Sequence, residues 1–238
     1  MTIGLVAALP AEIRCLTSLP IEINTPFQVN KHLVAIVCGI GAKNAARATQ
    51  YLLYQNIQGL ISWGTAGSLS SKLKSGDLVL PDVIQATNGR SYHTDNDWLV
   101  HLQQALKATA IRIHTGLLVE TNIILGTDLE KTGVKSRTSD AIATDMETAA
   151  VMKIGHDNGI PGIAIRSIVD QFDDQVPGEI LKHTDGFGTT RISNLLVEIM
   201  YKPQLLAHLF RLSIAMRAAT RTLRSVATVT NETFMYIH

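Results

Sequence analysis

Four carboxylates in this chain stand where apolar segments end. Glu12 follows the run IGLVAAL, in LPAEI. Asp145 and Glu147 flank Met146 in TDMETAAV, directly after the run AIA. Asp170 closes AIRSIVD. Ligands of open α/β sheets bind outside the carboxyl ends of the strands, so an acid there is either a cap for the next segment or a site residue. Glu12 also suits the start of a helix, where a carboxylate complements the dipole. Asp145 suits a helix cap. As site residues, carboxylates can accept hydrogen bonds from a diol, move a proton, or steady a developing cation. Two loops of small residues follow strand-like runs: CGIGAKNAA, with Gly39 and Gly41, and SWGTAGSL, with Gly64, Thr65, Ala66, Gly67 and Ser68. Such loops present backbone N–H groups to an anion or polar ligand, or simply make tight strand-to-helix turns. Neither matches GxGxxG, and no Walker lysine follows.

The elements that must position these groups read as alternating strands and helices. Short apolar runs at 3–9, 33–38, 59–64, 77–84, 111–119 and 160–169 predict buried strands. Helical patterns lie between some of them: 42–56, with Ala45, Ala48, Tyr51 and Leu52 at helical spacing; 98–110; and 146–159, which ends in Gly159 with Pro161 beyond. Fully apolar strands alternating with helices imply a mixed, largely parallel sheet covered on both faces. The expected architecture is a three-layer α/β/α domain over residues 1–200, with a C-terminal helical extension over 201–238. In that extension Leu205, Leu209, Leu212, Met216, Ala219, Leu223 and Val226 recur at helical spacing, and Arg217, Arg221 and Arg224 are expected opposite them. Residues 205–226 carry four arginines and no acid.

Composition narrows the function. A net charge of +1 gives no bulk attraction for nucleic acid. Two cysteines, Cys15 and Cys38, without metal-ligand spacing suit a reducing compartment. The apolar N-terminus has no basic leader and reads as a strand rather than a signal peptide. No apolar run approaches the roughly 18 residues a membrane span requires. The expected location is the cytoplasm.

Five ordered motifs, IGLVAALPAEI, GIGAKNAARAT, GTAGSL followed by LKSGDLVLPD, ATDMETAAV, and IPGIAIRSIVD, resemble the purine nucleoside phosphorylase and nucleosidase superfamily over about residues 2–200. The closest known activities in it are those of the methylthioadenosine/S-adenosylhomocysteine nucleosidases. From Pro177 on, the chain also looks like the C-terminal extension of hopanoid-associated phosphorylases, which are held to remove adenine from adenosylhopane. The resemblance therefore implies a nucleoside phosphorylase-like fold and an enzyme that cleaves the N-glycosidic bond of an adenosine-type nucleoside. Its substrate would be adenosylhopane. A general methylthioadenosine/S-adenosylhomocysteine nucleosidase, a purine nucleoside phosphorylase and a non-catalytic nucleoside-binding protein are the alternatives.

By the same resemblance, Glu147 accepts hydrogen bonds from the ribose 2′- and 3′-hydroxyls and steadies the developing cation, and Met146 lies against the sugar. Asp170 delivers a proton to purine N7, which requires a carboxyl kept protonated by partial burial. Glu12 is the general base toward water. Thr65, Ala66, Gly67 and Ser68 line the nucleophile side, and Ile124 and Leu125 form the adenine wall. Two positions depart from the nucleosidase pattern: Val169 replaces a small hydroxyl residue, and Ile124 replaces an aromatic one. Neither cofactor nor metal is implied. Inorganic phosphate is a conceivable co-substrate, with Arg14, Arg47, Arg90 and Arg166 as candidate ligands, although Glu12 in the N-terminal loop favours water. A homo-oligomer is expected. The helix at 203–226 is expected to pack on protein or to make peripheral contact with anionic lipid.

Overall fold

All five residues of β1 (Ile3–Ala7) are buried, as an uninterrupted apolar run predicts for a strand covered on both faces. The computed structural model describes residues 2–172 and 205–230. A single helical turn, α1 (Pro10–Ile13), follows β1, with proline at its start and the Glu12 carboxylate accepting the N–H of Leu9. The half-exposed β2 (Phe27–Asn30) runs antiparallel to the buried β3 (Leu33–Val37), and α2 (Ala42–Leu53) leads to β4 (Gly59–Ser68). Then come β5 (Leu78–Val79), β6 (Val83–Gln85), β7 (Ser91–His93), α3 (Asn96–Leu106), β8 (Ile113–His114) and β9 (Leu117–Glu120). The described chain ends with α4 (Asp128–Arg137), β10 (Ala141–Asp145), α5 (Thr148–Asp157), β11 (Gly162–Asp170) and α6 (Leu205–Thr230).

The axis of the sheet is β4. Its first half pairs in parallel with β1, and β11 runs parallel to it from Leu60 to Gly67. At its far end Gly67 and Ser68 pair antiparallel with β10. The order is β2-β3-β1-β4-β10-β9-β6-β7, with β11 bridging β4 and β5, and β8 on β5. Successive side chains of these strands point to opposite faces. Ile3, Leu5, Ile61, Trp63, Ile163 and Ile165 pack with Ile13 of α1, Trp98 and Leu102 of α3, and Leu223 and Val226 of α6. Val6, Ile36 and Leu60 pack with Ala45, Ala48 and Leu52 of α2 and Val151 of α5. This is the expected three-layer arrangement around a mixed sheet.

Several boundaries differ from expectation for local reasons. GTAGS is not a loop but the second half of β4, which continues ten residues because β11 and β10 pair with it. The run 77–84 is two short strands, interrupted at Pro81, whose nitrogen has no proton for a ladder. The run 111–119 is likewise two strands, broken before Gly116 at φ +154°. Tyr51 lies exposed on α2 while Ala45, Ala48 and Leu52 are buried. Strands β2 and β7 and helix α4 escaped the sequence reading because they are short or polar. Helix α4 carries its own signal, a capping box in which Thr127 and Glu130 bond each other's backbone N–H.

Helix α6 belongs to the core rather than projecting from it. It packs on β11, α3 and α1, and Thr222 Oγ1 donates to the Gly76 carbonyl at 2.6 Å. Ala219, Leu223 and Val226 of the predicted stripe are buried, joined by Ala215 and Ala227. The outer face is not purely basic. Leu206, Phe210 and Ile214 are exposed along it, and exposed Arg217, Arg221 and Arg224 continue the same side at helical spacing.

Candidate active site

The ends of β1, β4, β10 and β11 open into one cleft. Its walls are Ala8, Leu9 and Glu12 after β1; Ile40 between β3 and α2; Thr65, Ala66 and Gly67 on β4; Ile124 and Leu125 before α4; Thr144, Asp145, Met146 and Glu147 at the end of β10; and Val169 and Asp170 on β11. Thus Glu12, Thr65, Ala66, Gly67, Ile124, Leu125, Met146, Glu147 and Asp170, scattered over the sequence, line a single space. Ser68 does not: it is buried, and its hydroxyl donates to the Ser70 carbonyl.

Glu12 is 2% exposed. Its Oε1 accepts the Thr65 N–H at 2.8 Å and the Thr65 hydroxyl at 2.9 Å, and its Oε2 accepts the Leu9 N–H at 3.0 Å. The indole of Trp63 donates to its backbone carbonyl. Burial raises the pKa of its carboxyl against the opposing charge of Arg166, which suits a group that must take a proton. Gly64 makes this packing possible: a Cβ there would lie 2.6 Å from Glu12 Oε1 and 2.5 Å from Arg166 Nη1.

Glu147 and Asp145 have separate partners. Glu147 Oε1 accepts the N–H of Gly41 at 2.7 Å, and Gly41, at φ +103°, tolerates no Cβ easily in that conformation. The GIG loop therefore serves a carboxylate of the protein itself. Burial, reinforced by the charge of Asp145, pushes the Glu147 carboxyl up to about 7. Asp145 faces inward: it accepts the N–H and the hydroxyl of Thr148 at the start of α5, and Arg166 Nη2 lies 2.7 Å from its Oδ2. Arg166 is 1% exposed and also donates to Ser62 and Thr148. Asp145 thus caps a helix start, and in addition holds a buried guanidinium that no sequence pattern announces.

Asp170 sits at the end of β11, where the register with β4 shifts between Ile168 and Asp170, bringing Asp170 opposite Gly67. A bulge of this kind re-aims a side chain at a strand end. Gly67 leaves room for the carboxylate: an added Cβ would meet Asp170 Oδ1 at 3.0 Å. The carboxylate is paired with Lys131 of α4, whose Nζ lies 2.9 Å from Oδ2. Asp170 is thus partly buried, its side chain 17% exposed, and stands beside a cation.

The suggested arginine ligands for phosphate are corrected. Arg14 and Arg90 lie exposed on the surface, Arg47 bonds Asn24 and Asn44, and Arg166 is committed beneath the cleft. None of the four lines the cleft, nor does any other arginine or lysine among the described residues. Among those residues no group of three or more His, Cys, Asp and Glu side chains could hold a metal ion. Sequence reasoning missed Ile40 and Lys131. Ile40 lies in a loop it had singled out, beside Gly41, whereas Lys131 gave no signal.

The chain has relatives of known name. A 5′-methylthioadenosine/S-adenosylhomocysteine nucleosidase of Buchnera aphidicola is 29% identical, covering 77% of this chain and 89% of its own. One of Halalkalibacterium halodurans is 26% identical, covering 71% and 84%. Among solved structures, the nucleosidase of that name from Neisseria meningitidis, in complex with methylthio-immucillin-A, superposes with a TM-score of 0.73 at 17% identity, over 96% of this chain and 98% of its own. Futalosine hydrolase of Helicobacter pylori superposes with a TM-score of 0.69 at 17% identity, over 95% and 97%. The sequence profile of the Phosphorylase superfamily matches residues 2–200, and the chain belongs to that superfamily.

Proposed function

We propose that this enzyme hydrolyses the N-glycosidic bond of an adenine nucleoside. The reading is supported most directly by three carboxylates, Glu12, Glu147 and Asp170, converging on a cleft whose described lining holds no arginine or lysine. Phosphate would add negative charge to a space already rich in it, whereas water needs a base, and Glu12 is held in place as one. Water oxygen bonds to C1′ as Glu12 takes its proton. The C1′–N9 bond breaks toward the base, and Asp170 transfers a proton to N7. Glu147 accepts the ribose hydroxyls and steadies the positive charge at C1′. Adenine release from methylthioadenosine or S-adenosylhomocysteine is expected to be as fast without phosphate as with it, with the free sugar as product. A strict phosphate requirement would remove the role given to Glu12. Asp170→Asn is expected to lower kcat by roughly 10²–10⁴-fold while a nucleoside analogue still binds. Unchanged turnover would refute the acid assignment.

For the 5′ substituent we propose a lipid-linked group, as in adenosylhopane, met at an anionic membrane surface. Two observations support this: the likeness of the sequence from Pro177 onward, whose stretch 177–204 lies outside the described residues, and the outer face of α6. There, exposed Leu206, Phe210 and Ile214 precede exposed arginines on a helix without acids, a combination that suits an interfacial helix. No helix of the described residues is long and apolar enough to cross a membrane. Replacing Leu206, Phe210 and Ile214 by serine is expected to abolish co-sedimentation with vesicles containing phosphatidylglycerol and to leave methylthioadenosine turnover intact. Equal sedimentation of both proteins would exclude this contact.

A further inference from the structure

Lys131 is a long, charged side chain with 0% exposure, a burial that lysine almost never adopts unless paired. Its ammonium is 2.9 Å from Asp170 Oδ2 and donates to the carbonyl of Gln171, the next residue. It therefore grips both the side chain and the backbone at the end of β11. Gly67 lies close beside the carboxylate: a Cβ there would stand 3.0 Å from Oδ1 and 3.2 Å from Oδ2. The carboxylate that lysine anchors is itself part of the cleft lining. The lysine is carried by α4, whose cap Thr127 follows the Ile124–Leu125 wall by two residues. The same contact thus ties that wall to the carboxylate.

We propose that Lys131 is a positioning residue for the proton-transferring carboxylate: it fixes the Asp170 oxygen that meets the leaving base. The proposal rests on the reading of Asp170 as the acid for N7. Lysine itself need not touch substrate. Its part is to remove the rotational freedom of a group whose misplacement by about 1 Å can cost on the order of 100-fold in rate. A cation that served only to neutralise a buried acid would instead matter to the fold and not to one chemical step.

The test is a double-mutant cycle on the full chain. Lys131→Met keeps length and apolar bulk while removing the ammonium, and Lys131→Gln is made in parallel. Each is expected to lower kcat for adenine release from methylthioadenosine by about 10–100-fold, with KM moving less. In an Asp170→Asn background the same substitutions are expected to cost little more, because the group they position is gone. Hydrolysis of 4-nitrophenyl riboside, whose leaving group departs without a proton, is expected to survive in all of them. Undiminished adenine release in both lysine variants would overturn the proposal. So would full multiplication of the two losses in the double mutants, or equal loss of both substrates in Met and Gln variants alike, which would make Lys131 a fold residue. If Asp170→Asn alone left adenine release unchanged, the reading of Asp170 as the acid would fall first, and the role of Lys131 with it. A selective Asp170→Asn defect without a Lys131 effect would sink only the present inference.

Discussion

Replacing Arg166 by methionine is expected to destabilise the protein by about 3–5 kcal/mol, because it strands a buried carboxylate. Arg166 and Asp145 have side chains 1% and 2% exposed and stand 2.7 Å apart. Desolvating such a pair cancels much of its attraction, so the pair itself is not the source of stability. The cost appears when one partner is removed and the other remains buried and charged. Ser62 and Thr148 accept hydrogen bonds from the guanidinium; without it they would keep their mutual contact at 3.1 Å and the bond from the Thr148 hydroxyl to Asp145. At roughly 2–4 °C per kcal/mol for a chain of this size, the melting temperature should fall by on the order of 10 °C. Catalysis should suffer too, since the positive charge of Arg166 opposes the rise in pKa of both Glu12 and Glu147. The double variant Asp145→Asn with Arg166→Met isolates the cause. If the penalty is an unpaired charge, the double variant melts closer to the parent than Arg166→Met does. If it melts lower still, the guanidinium acts through packing and the electrostatic account is wrong.

This ion pair also marks where sequence stops informing about the site. The acids were legible because they follow apolar runs, and apolar runs become strands wherever both faces of a sheet are covered, as in β1 and β11. The three-layer fold followed from the same pattern. What the pattern does not contain is which polar side chains turn inward. Arg166 lies in IAIRSIV, within a run predicted to be a buried strand, yet its charge suggested a phosphate ligand. Its partner lies on β10, a relation made only by the sheet. Lys131 is harder still: it belongs to the polar segment DLEKTGVKSR, where a solvated lysine is the ordinary outcome, and only the end of β11 explains its burial. Gly64 and Gly67 read as loop glycines because glycine usually marks turns. Here they stand in a strand, and the absence of Cβ admits Glu12 and Arg166 at one position and Asp170 at the other.

Glu147→Gln is expected to make the protein more stable at pH 8 and nearly inactive. The stability change follows from the sign of the linkage. Burial, with the charge of Asp145, pushes the Glu147 carboxyl up to about 7 from its ordinary 4.5. Between these values the folded chain binds a proton that the unfolded chain has released, so stability is full below about 4.5 and declines as pH rises through 7. At 1.36 kcal/mol per unit, the decline is on the order of 3 kcal/mol once both states are ionised. Glutamine abolishes it, and its amide oxygen can still accept the N–H of Gly41. The melting temperatures of variant and parent should therefore be similar at pH 4.5 and separate by several degrees at pH 8. Activity should move the other way. An amide can still accept one ribose hydroxyl, but it offers no negative charge to the sugar as the glycosidic bond breaks. Loss of such a preorganised electrostatic group is worth about 10²–10³ in kcat. Calorimetry at the two pH values and adenine release at one of them read both effects. A melting temperature that falls at pH 8 would mean that Glu147 is held charged in the folded chain, and the charge would then stabilise the protein as well as the transition state.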